Sequence, residues 1–138
     1  MSDVRYLFDT NVLSEVNRRQ PDGRVLTFVR GLRNEDTFIS VLTIGELRRG
    51  AVLKRRTDAG HADRLDAWIA SIETDYGSRI LPVDLSTASQ WGTLAAERSR
   101  PLVDTLIAAT AMVHDLTLVT RNTRDFADTG VALVNPWE

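Results

Sequence analysis

The 138-residue chain contains no cysteine, two histidines and a single lysine. The absence of cysteine excludes disulfides, thiolate metal sites and cysteine nucleophiles, and it agrees with a reducing cytoplasm. We expect His61, beside Gly60, to lie in a turn and His114 to lie near the end of a helix; neither has a partner at ligand spacing. A zinc site and a histidine-pair ribonuclease are therefore disfavoured. Any chemistry is expected to come from oxygen ligands.

A long apolar run is also missing. Leu106–Val113, among the longest apolar stretches, is far shorter than the roughly 20 residues that cross a bilayer. The first nine residues carry charges and no apolar secretory core. With 43% hydrophobic and 26% charged residues, the composition is typical of a globular protein. We expect one domain over residues 1–138, without a membrane span and located in the cytoplasm.

Short β-branched and aromatic runs alternate with segments of helical periodicity. Strands are predicted at Val4–Phe8, Thr37–Val41, Ile80–Val83, Thr117–Thr120 and Val131–Val134. Helices are predicted directly after Asp9 and over residues 25–32, 43–54, 63–76, 84–97 and 106–113. Thr43-x-x-Glu46 resembles a capping box, a turn is expected near Ala59-Gly60, and Pro82 favours an edge position for the third strand. This alternation predicts a parallel α/β sheet.

Four acids are placed where such a sheet would gather them. Asp9, Glu46 and Asp125 follow strand-like segments and open helices, while Asp104 begins the apolar helix. Taken singly, each carboxylate has an ordinary explanation as a helix cap or a partner of the helix dipole. Taken together, they would converge, because the carboxyl ends of parallel strands share one edge of the sheet.

Four carboxylates in one crevice need compensation, since like charges at short range raise one another's pKa and oppose folding. A divalent ion is the simplest compensation, and an all-oxygen ligand set suits Mg²⁺ or Mn²⁺. Such an ion can activate water and neutralise phosphate charge. The four acids thus predict metal-dependent phosphodiester hydrolysis.

Other acidic or hydrolytic designs lack necessary parts. A haloacid-dehalogenase-like phosphatase needs a second acid at the position of Asn11, and a receiver-like domain needs a lysine late in the sheet, whereas Lys54 lies in an early helix. A serine hydrolase is unsupported because the chain has no G-x-S-x-G motif.

Nucleic acid binding is not indicated by the net charge of −2. The segment from residue 48 to residue 56 nevertheless contains five basic residues and no acidic one. Such a run is typical of either a solvated helix face or a phosphate-binding surface. We predict phosphate contacts from four arginines: Arg48, Arg49, Arg55 and Arg121.

Four segments in register resemble the motifs of the PIN-domain family. They are LFDTNVLSE from Leu7, TIGEL from Thr43, DTLIAATA from Asp104 and TRNTRDF from Thr120. More narrowly, the chain resembles the VapC-type and FitB-like toxins of bacterial toxin–antitoxin pairs, down to the closing Asn135-Pro136-Trp137.

This resemblance implies a three-layer fold with a central, mostly parallel sheet flanked by helices. It implies a Mg²⁺-dependent endoribonuclease, with Mn²⁺ as a substitute ion and tRNA or another structured RNA as substrate. The implied metal-binding and catalytic quartet is Asp9, Glu46, Asp104 and Asp125, supported by Asn11 and Thr120. The resemblance further implies a homodimer and a VapB-type antitoxin whose tail blocks the acidic groove with an arginine.

Two alternatives stay open on the sequence. One is a non-cleaving PIN-like module that binds RNA or protein. The other is a PIN nuclease that acts in RNA processing or on DNA.

Overall fold

The computed structural model describes residues 3–138 and has a five-stranded parallel sheet at its centre. The strands are β1 (Tyr6–Phe8), β2 (Thr37–Ser40), β3 (Ile80–Leu81), β4 (Thr117–Val119) and β5 (Leu133–Val134). Their order is β3-β2-β1-β4-β5, and every neighbouring pair is parallel. The edge position predicted for the third strand is confirmed, and the predicted parallel sheet is confirmed with it.

The helices cover both faces of the sheet. They are α1 (Thr10–Val16), α2 (Gly23–Arg30), α3 (Val41–Arg55), α4 (Ala59–Tyr76), α5 (Leu85–Glu97), α6 (Leu102–Val113) and α7 (Thr123–Phe126). Single 3₁₀ turns occur at Asn34–Asp36 and Gly77–Arg79.

Two neighbouring residues of β1 show how the layers are built. Leu7 and Phe8 are both buried but belong to different core clusters, because successive side chains of a strand point to opposite faces. Phe8 packs in the cluster that includes Val12 of α1 and Ile69 of α4, whereas Leu7 packs in the cluster that includes Leu94 of α5 and Ile107 of α6. The predicted three-layer architecture is confirmed.

Two local predictions are wrong. The third helix begins at Val41 rather than at Thr43, and the hydroxyl of Ser40 caps it by accepting the N–H of Leu42 at 3.0 Å. Thr43 is fully buried inside that helix instead of capping it. Ala59 and Gly60 form the first turn of α4 rather than a separate turn, because Asp58 caps the helix and it begins four residues earlier than the predicted Asp63.

The helix that begins at Ala59 ends at Tyr76, as predicted, and a glycine follows it. Gly77 has φ of 51°, a left-handed conformation that side chains with a Cβ rarely adopt, and its N–H bonds to the carbonyl of Glu73. Within residues 3–138, no helix combines the length and apolar character needed to cross a membrane.

Candidate active site

The candidate site lies at the carboxyl end of the sheet. Asp9 directly follows β1, Thr120 directly follows β4, and Glu46 lies in the second turn of the helix that follows β2. Asp104 lies in the first turn of α6. The parallel arrangement brings Asp9, Glu46 and Asp104, three of the four acids predicted to converge, to the same edge.

Asp9 is the most constrained of the acids. Its side chain is 6% exposed, and one carboxylate oxygen caps α1 by accepting the N–H of Thr10 at 2.8 Å. The other oxygen accepts the hydroxyl of Thr120 at 2.8 Å. The amide of Asn11 donates to Thr120 Oγ1 at 3.3 Å and lies 3.5 Å from Asp9 Oδ2. Asn11 and Thr120, predicted as supporting polar residues, therefore orient this carboxylate.

Glu46 is held by a threonine that the sequence analysis did not single out. The hydroxyl of Thr10 donates to Glu46 Oε1 at 2.5 Å and lies 3.2 Å from the hydroxyl of the buried Thr43. Because Thr10 is also the residue whose N–H is capped by Asp9, it links the positions of two acids that are far apart in sequence. The only indication in the sequence was its place directly after Asp9.

The acids share an electrostatic environment. Burial is the main cause that raises the pKa of Asp9; the hydrogen bonds from Thr120 and Thr10 oppose the rise, and the charges of Asp104 and Glu46 add to it. The pKa of Asp104 is also raised, first by burial and then by the charges of Glu46 and Asp125. In the part of the chain that the structure describes, none of the four acids has a cationic partner within 4.0 Å.

Three of the four acids line one open crevice of about 490 Å³. Asp9, Glu46 and Asp104 are joined there by residues that the sequence analysis did not mark as functional: Thr10, Ser14, Glu15, Arg18, Asn122 and Trp137. Asp125, in the first turn of α7, is exposed and lies outside the lining. Its charge nevertheless contributes to the raised pKa of Asp104. This crevice, which we call the acidic crevice, is therefore lined by three of the four predicted acids, and the fourth lies beside it.

The carboxylate oxygens of the crevice are ligands that suit Mg²⁺, but their spacing in this structure does not form a complete metal site. Over residues 3–138, no three acidic, histidine or cysteine side chains are close enough to hold a metal as they stand. Mg²⁺, however, usually keeps several waters and is held by one or two carboxylates together with substrate phosphates. The uncompensated, oxygen-only acids of the acidic crevice meet that requirement without forming a closed cage.

Glu15 differs from the other acids that line the crevice. It is 6% exposed, accepts the N–H of Asp22 at 3.0 Å and pairs with Arg18 at 3.3 Å. These contacts lower its pKa, with the Asp22 hydrogen bond as the largest cause. Its charge is already compensated, so its role is to fix the loop that follows α1.

The four predicted RNA-binding arginines are in different environments. Arg48 pairs with Asp66 at 2.6 Å and Glu73 at 3.2 Å, and Arg55 pairs with Asp63 at 2.9 Å and Asp66 at 2.8 Å, so both connect α3 to α4. Arg49 is exposed and has no acid within 4.0 Å among the described residues. Arg121 lines the acidic crevice, with its guanidinium 5.4 Å from the ring centroid of Trp137. RNA contact by these arginines stays a prediction.

Comparison with known proteins places the fold and motifs in one family. The family model described as the PIN domain matches residues 6–132. Toxin FitB of Neisseria gonorrhoeae is 36% identical over 139 residues, which cover 95% of this chain and 97% of that protein. VapC ribonuclease Y4jK of Sinorhizobium fredii is 33% identical over 141 residues, with 96% and 97% covered.

Solved structures agree with the sequence matches. The crystal structure of FitAcB from Neisseria gonorrhoeae superposes with a TM-score of 0.87 at 36% identity, covering 96% of this chain and 99% of that one. A toxin–antitoxin complex from Klebsiella pneumoniae superposes with a TM-score of 0.68 at 28% identity, covering 96% of this chain and 98% of that one.

Proposed function

This chain belongs to the PIN-domain family, and we propose that it is a Mg²⁺-dependent endoribonuclease that acts as the toxin of a type II toxin–antitoxin pair. The observation that carries the proposal is the set of acids around the acidic crevice, Asp9, Glu46 and Asp104, none of which has a cationic partner among the described residues. Asp9 is buried, Asp104 is half-buried and Glu46 is exposed. Like charges that share one site without compensation oppose folding, and a bound divalent ion removes that cost.

The names of the relatives support both halves of the proposal. One relative is named a toxin and another a ribonuclease, and each aligns with this chain over nearly its full length. A nuclease active on RNA requires a site that is open to a polymer, and the acidic crevice is open to solvent along the edge of the sheet.

In this proposal Asp9, Asp104 and Glu46 hold the ion, with Asp125 close enough to contribute charge. When bound, Mg²⁺ supplies charge neutralisation at the scissile phosphate and lowers the pKa of a coordinated water. The protein supplies orientation: Thr120 and the N–H of Thr10 fix the two oxygens of Asp9, and the Thr10 hydroxyl fixes Glu46. Such supporting hydrogen bonds commonly determine how well carboxylates bind a metal.

The substrate is drawn to an otherwise negative site by basic residues at its border. Arg121 lines the acidic crevice itself, and its guanidinium lies 5.4 Å from the ring centroid of Trp137, another lining residue. Arg48 and Arg55 are poorer candidates for this role, because each already neutralises two carboxylates of α4. We propose tRNA or another structured RNA as the substrate.

The proposed partner is a VapB-type antitoxin whose tail places an arginine against the uncompensated acids. A structural neighbour at 28% identity is a toxin–antitoxin complex, which supports this assignment. An arginine would provide the positive charge that the metal otherwise provides and would block the acidic crevice at the same time. A homodimer of the toxin is part of the same proposal.

The test is RNA cleavage by the purified chain. Total RNA and tRNA are incubated with Mg²⁺, with Mn²⁺ or with chelator, beside single-stranded and double-stranded DNA. We expect cleavage of RNA that stops in chelator and in Asp9→Asn protein. Asp75→Asn serves as the matched control, since Asp75 is exposed on α4 and lies outside the lining of the acidic crevice. Cleavage that persists in chelator, or that Asp9→Asn leaves intact, would contradict the proposal.

A further inference from the structure

A second cavity lies on the other side of the loop that follows α1. It has a volume of about 530 Å³ and is lined by Asn17, Arg19, His61, Arg64, Leu65 and Trp68. The segment that follows α1 supplies two lining residues, Asn17 and Arg19, and the first ten residues of α4 supply the other four. We refer to these six residues as the basic cavity.

The basic cavity has the opposite charge character to the acidic crevice. Two of its six lining residues are arginines, one is a histidine, and none is acidic. Among residues 3–138, no carboxylate lies within 4.0 Å of the guanidinium of Arg19 or Arg64. Asp58 caps α4 and is not part of the lining; the charge of Arg64 is one of the smaller causes that lower its pKa, after the hydrogen bond from the His61 N–H. These two arginines therefore differ from Arg48 and Arg55, whose charges are already neutralised.

The floor of the basic cavity is aromatic. Trp68 is half-buried and lines both the basic cavity and a neighbouring apolar cavity that also contains Phe8, Leu13 and Ile72. Packing in the core fixes its ring, while part of the ring stays accessible from the basic cavity. A fixed aromatic surface next to unpaired arginines is the combination that binds a nucleotide of a single strand, through base stacking and phosphate contact.

The two cavities border the same short segment. Ser14, Glu15 and Arg18 line the acidic crevice, and Asn17 and Arg19 line the basic cavity. Arg18 is exposed and lies between Asn17 and Arg19 in the sequence. The lining residues of the two cavities thus alternate along residues 14–19, which places the basic cavity next to the acidic crevice along this segment.

We propose that the basic cavity is a second nucleotide-binding subsite for the RNA strand whose scissile phosphate lies in the acidic crevice. Arg19 and Arg64 contact phosphate oxygens, and Trp68 stacks on a base. This subsite rests on the proposed ribonuclease function, which it extends by giving the enzyme an extended, single-stranded binding mode next to the cleavage position.

The first test measures binding of a fluorescein-labelled oligouridylate by anisotropy at several salt concentrations, in an Asp9→Asn background that keeps the RNA intact. The double variant Arg19→Gln/Arg64→Gln is expected to bind about ten-fold more weakly. Its log–log salt slope should be shallower by about 0.7 for each arginine that contacts a phosphate of a single strand. Arg30→Gln is the matched control, since Arg30 is exposed and lines neither the acidic crevice nor the basic cavity.

The second test addresses stacking. Trp68→Phe keeps an aromatic ring and should retain most of the affinity, whereas Trp68→Leu should lose roughly ten-fold, as expected when a stacked base loses its platform. Circular dichroism checks that both variants fold, and the arginine variants provide an independent answer if they do not. Equal RNA affinity in the Phe and Leu variants would overturn the stacking assignment.

Outcomes for the subsite and for the proposed function can be separated. If the wild-type chain cleaves RNA but the double arginine variant matches Arg30→Gln in affinity and salt slope, the subsite is wrong and the ribonuclease proposal stands. If the double variant keeps its RNA affinity but no longer binds the co-expressed antitoxin, the basic cavity is a protein-docking site and the subsite is again overturned. A wild-type chain that neither binds nor cleaves RNA overturns both.

Discussion

The hydroxyl of Thr120 donates a 2.8 Å hydrogen bond to Asp9 Oδ2, although the two residues are separated by 111 positions in the sequence. The bond joins the ends of the adjacent strands β1 and β4, and Thr120 is fully buried. A buried carboxylate that is fixed from two sides can present its remaining lone pairs in only one direction. The parallel pairing of these strands thus sets the orientation of the central acid.

We predict that Thr120→Val lowers cleavage activity by about 10-fold to 100-fold, the range found when a supporting hydrogen bond to a metal-binding side chain is removed. The variant keeps the shape of the side chain but leaves Asp9 without one of its donors. Steady-state kinetics at saturating Mg²⁺ and a Mg²⁺ titration measure the effect. Thr129→Val is the control, because Thr129 is also buried but bonds to the carbonyl of Phe126 outside the acidic crevice. Equal losses in the two variants would indicate a general effect on stability.

Thr10→Val is predicted to reduce activity by a similar factor, while Thr10→Ser restores most of it. The reason is the 2.5 Å bond to Glu46 Oε1, which valine removes and serine can reproduce. Comparing kcat/KM of the two variants measures the effect. If serine were as impaired as valine, the hydroxyl would not be the important feature of Thr10.

In the metal-free protein, Asp9→Asn is predicted to increase the free energy of unfolding at neutral pH by on the order of 1 kcal/mol, a typical size for a single substitution. Because the folded-state pKa of Asp9 is raised, the folded protein binds a proton more tightly than the unfolded chain. Wild-type stability therefore falls as pH rises from the ordinary aspartate value of 3.8 through the raised folded value. Urea unfolding across that range measures the difference between the variants.

The gain from Asp9→Asn should be larger at neutral pH than below pH 3.8, where the carboxyl is protonated in both states. Asp75→Asn, on the exposed face of α4, should show no such dependence. A difference between Asp9→Asn and wild type that did not change with pH would argue against charge repulsion in the acidic crevice.

Among the four predicted RNA-binding arginines, we predict unequal contributions. Arg121→Gln should weaken RNA binding and make the salt slope shallower by about 0.7, since Arg121 lines the acidic crevice. Arg55→Gln should leave RNA binding unchanged and lower stability only slightly, because its ion pairs between α3 and α4 are exposed to solvent. Anisotropy titrations and urea unfolding distinguish the two. A salt slope that changed only in Arg55→Gln would reverse this assignment.

The sequence predicted features that depend on local pattern. The carboxyl ends of the strands were predictable because Asp9 directly follows, and Thr120 ends, a run of β-branched or apolar residues. Asp104 was placed in the first turn of an apolar helix, and the structure has it there. Parallel topology then required these positions to share an edge.

What the sequence missed depends on contacts between distant residues. The S/T-x-x-E spacing suggested a cap at Thr43, but Ser40 caps the helix and Thr43 is buried beside Thr10. The bond between Thr10 and Glu46 joins residues 36 positions apart, and no local pattern indicates it. The ion pairs of Arg48 depend in the same way on how α4 packs against α3.

The most direct test of the central claim is calorimetric titration of Mg²⁺ into the purified chain without RNA. The account predicts saturable binding by wild type and by Asp75→Asn, and loss of that binding in Asp9→Asn, because the uncompensated acids are what hold the ion. Undetectable binding by the wild type, or equal binding by Asp9→Asn, would contradict it.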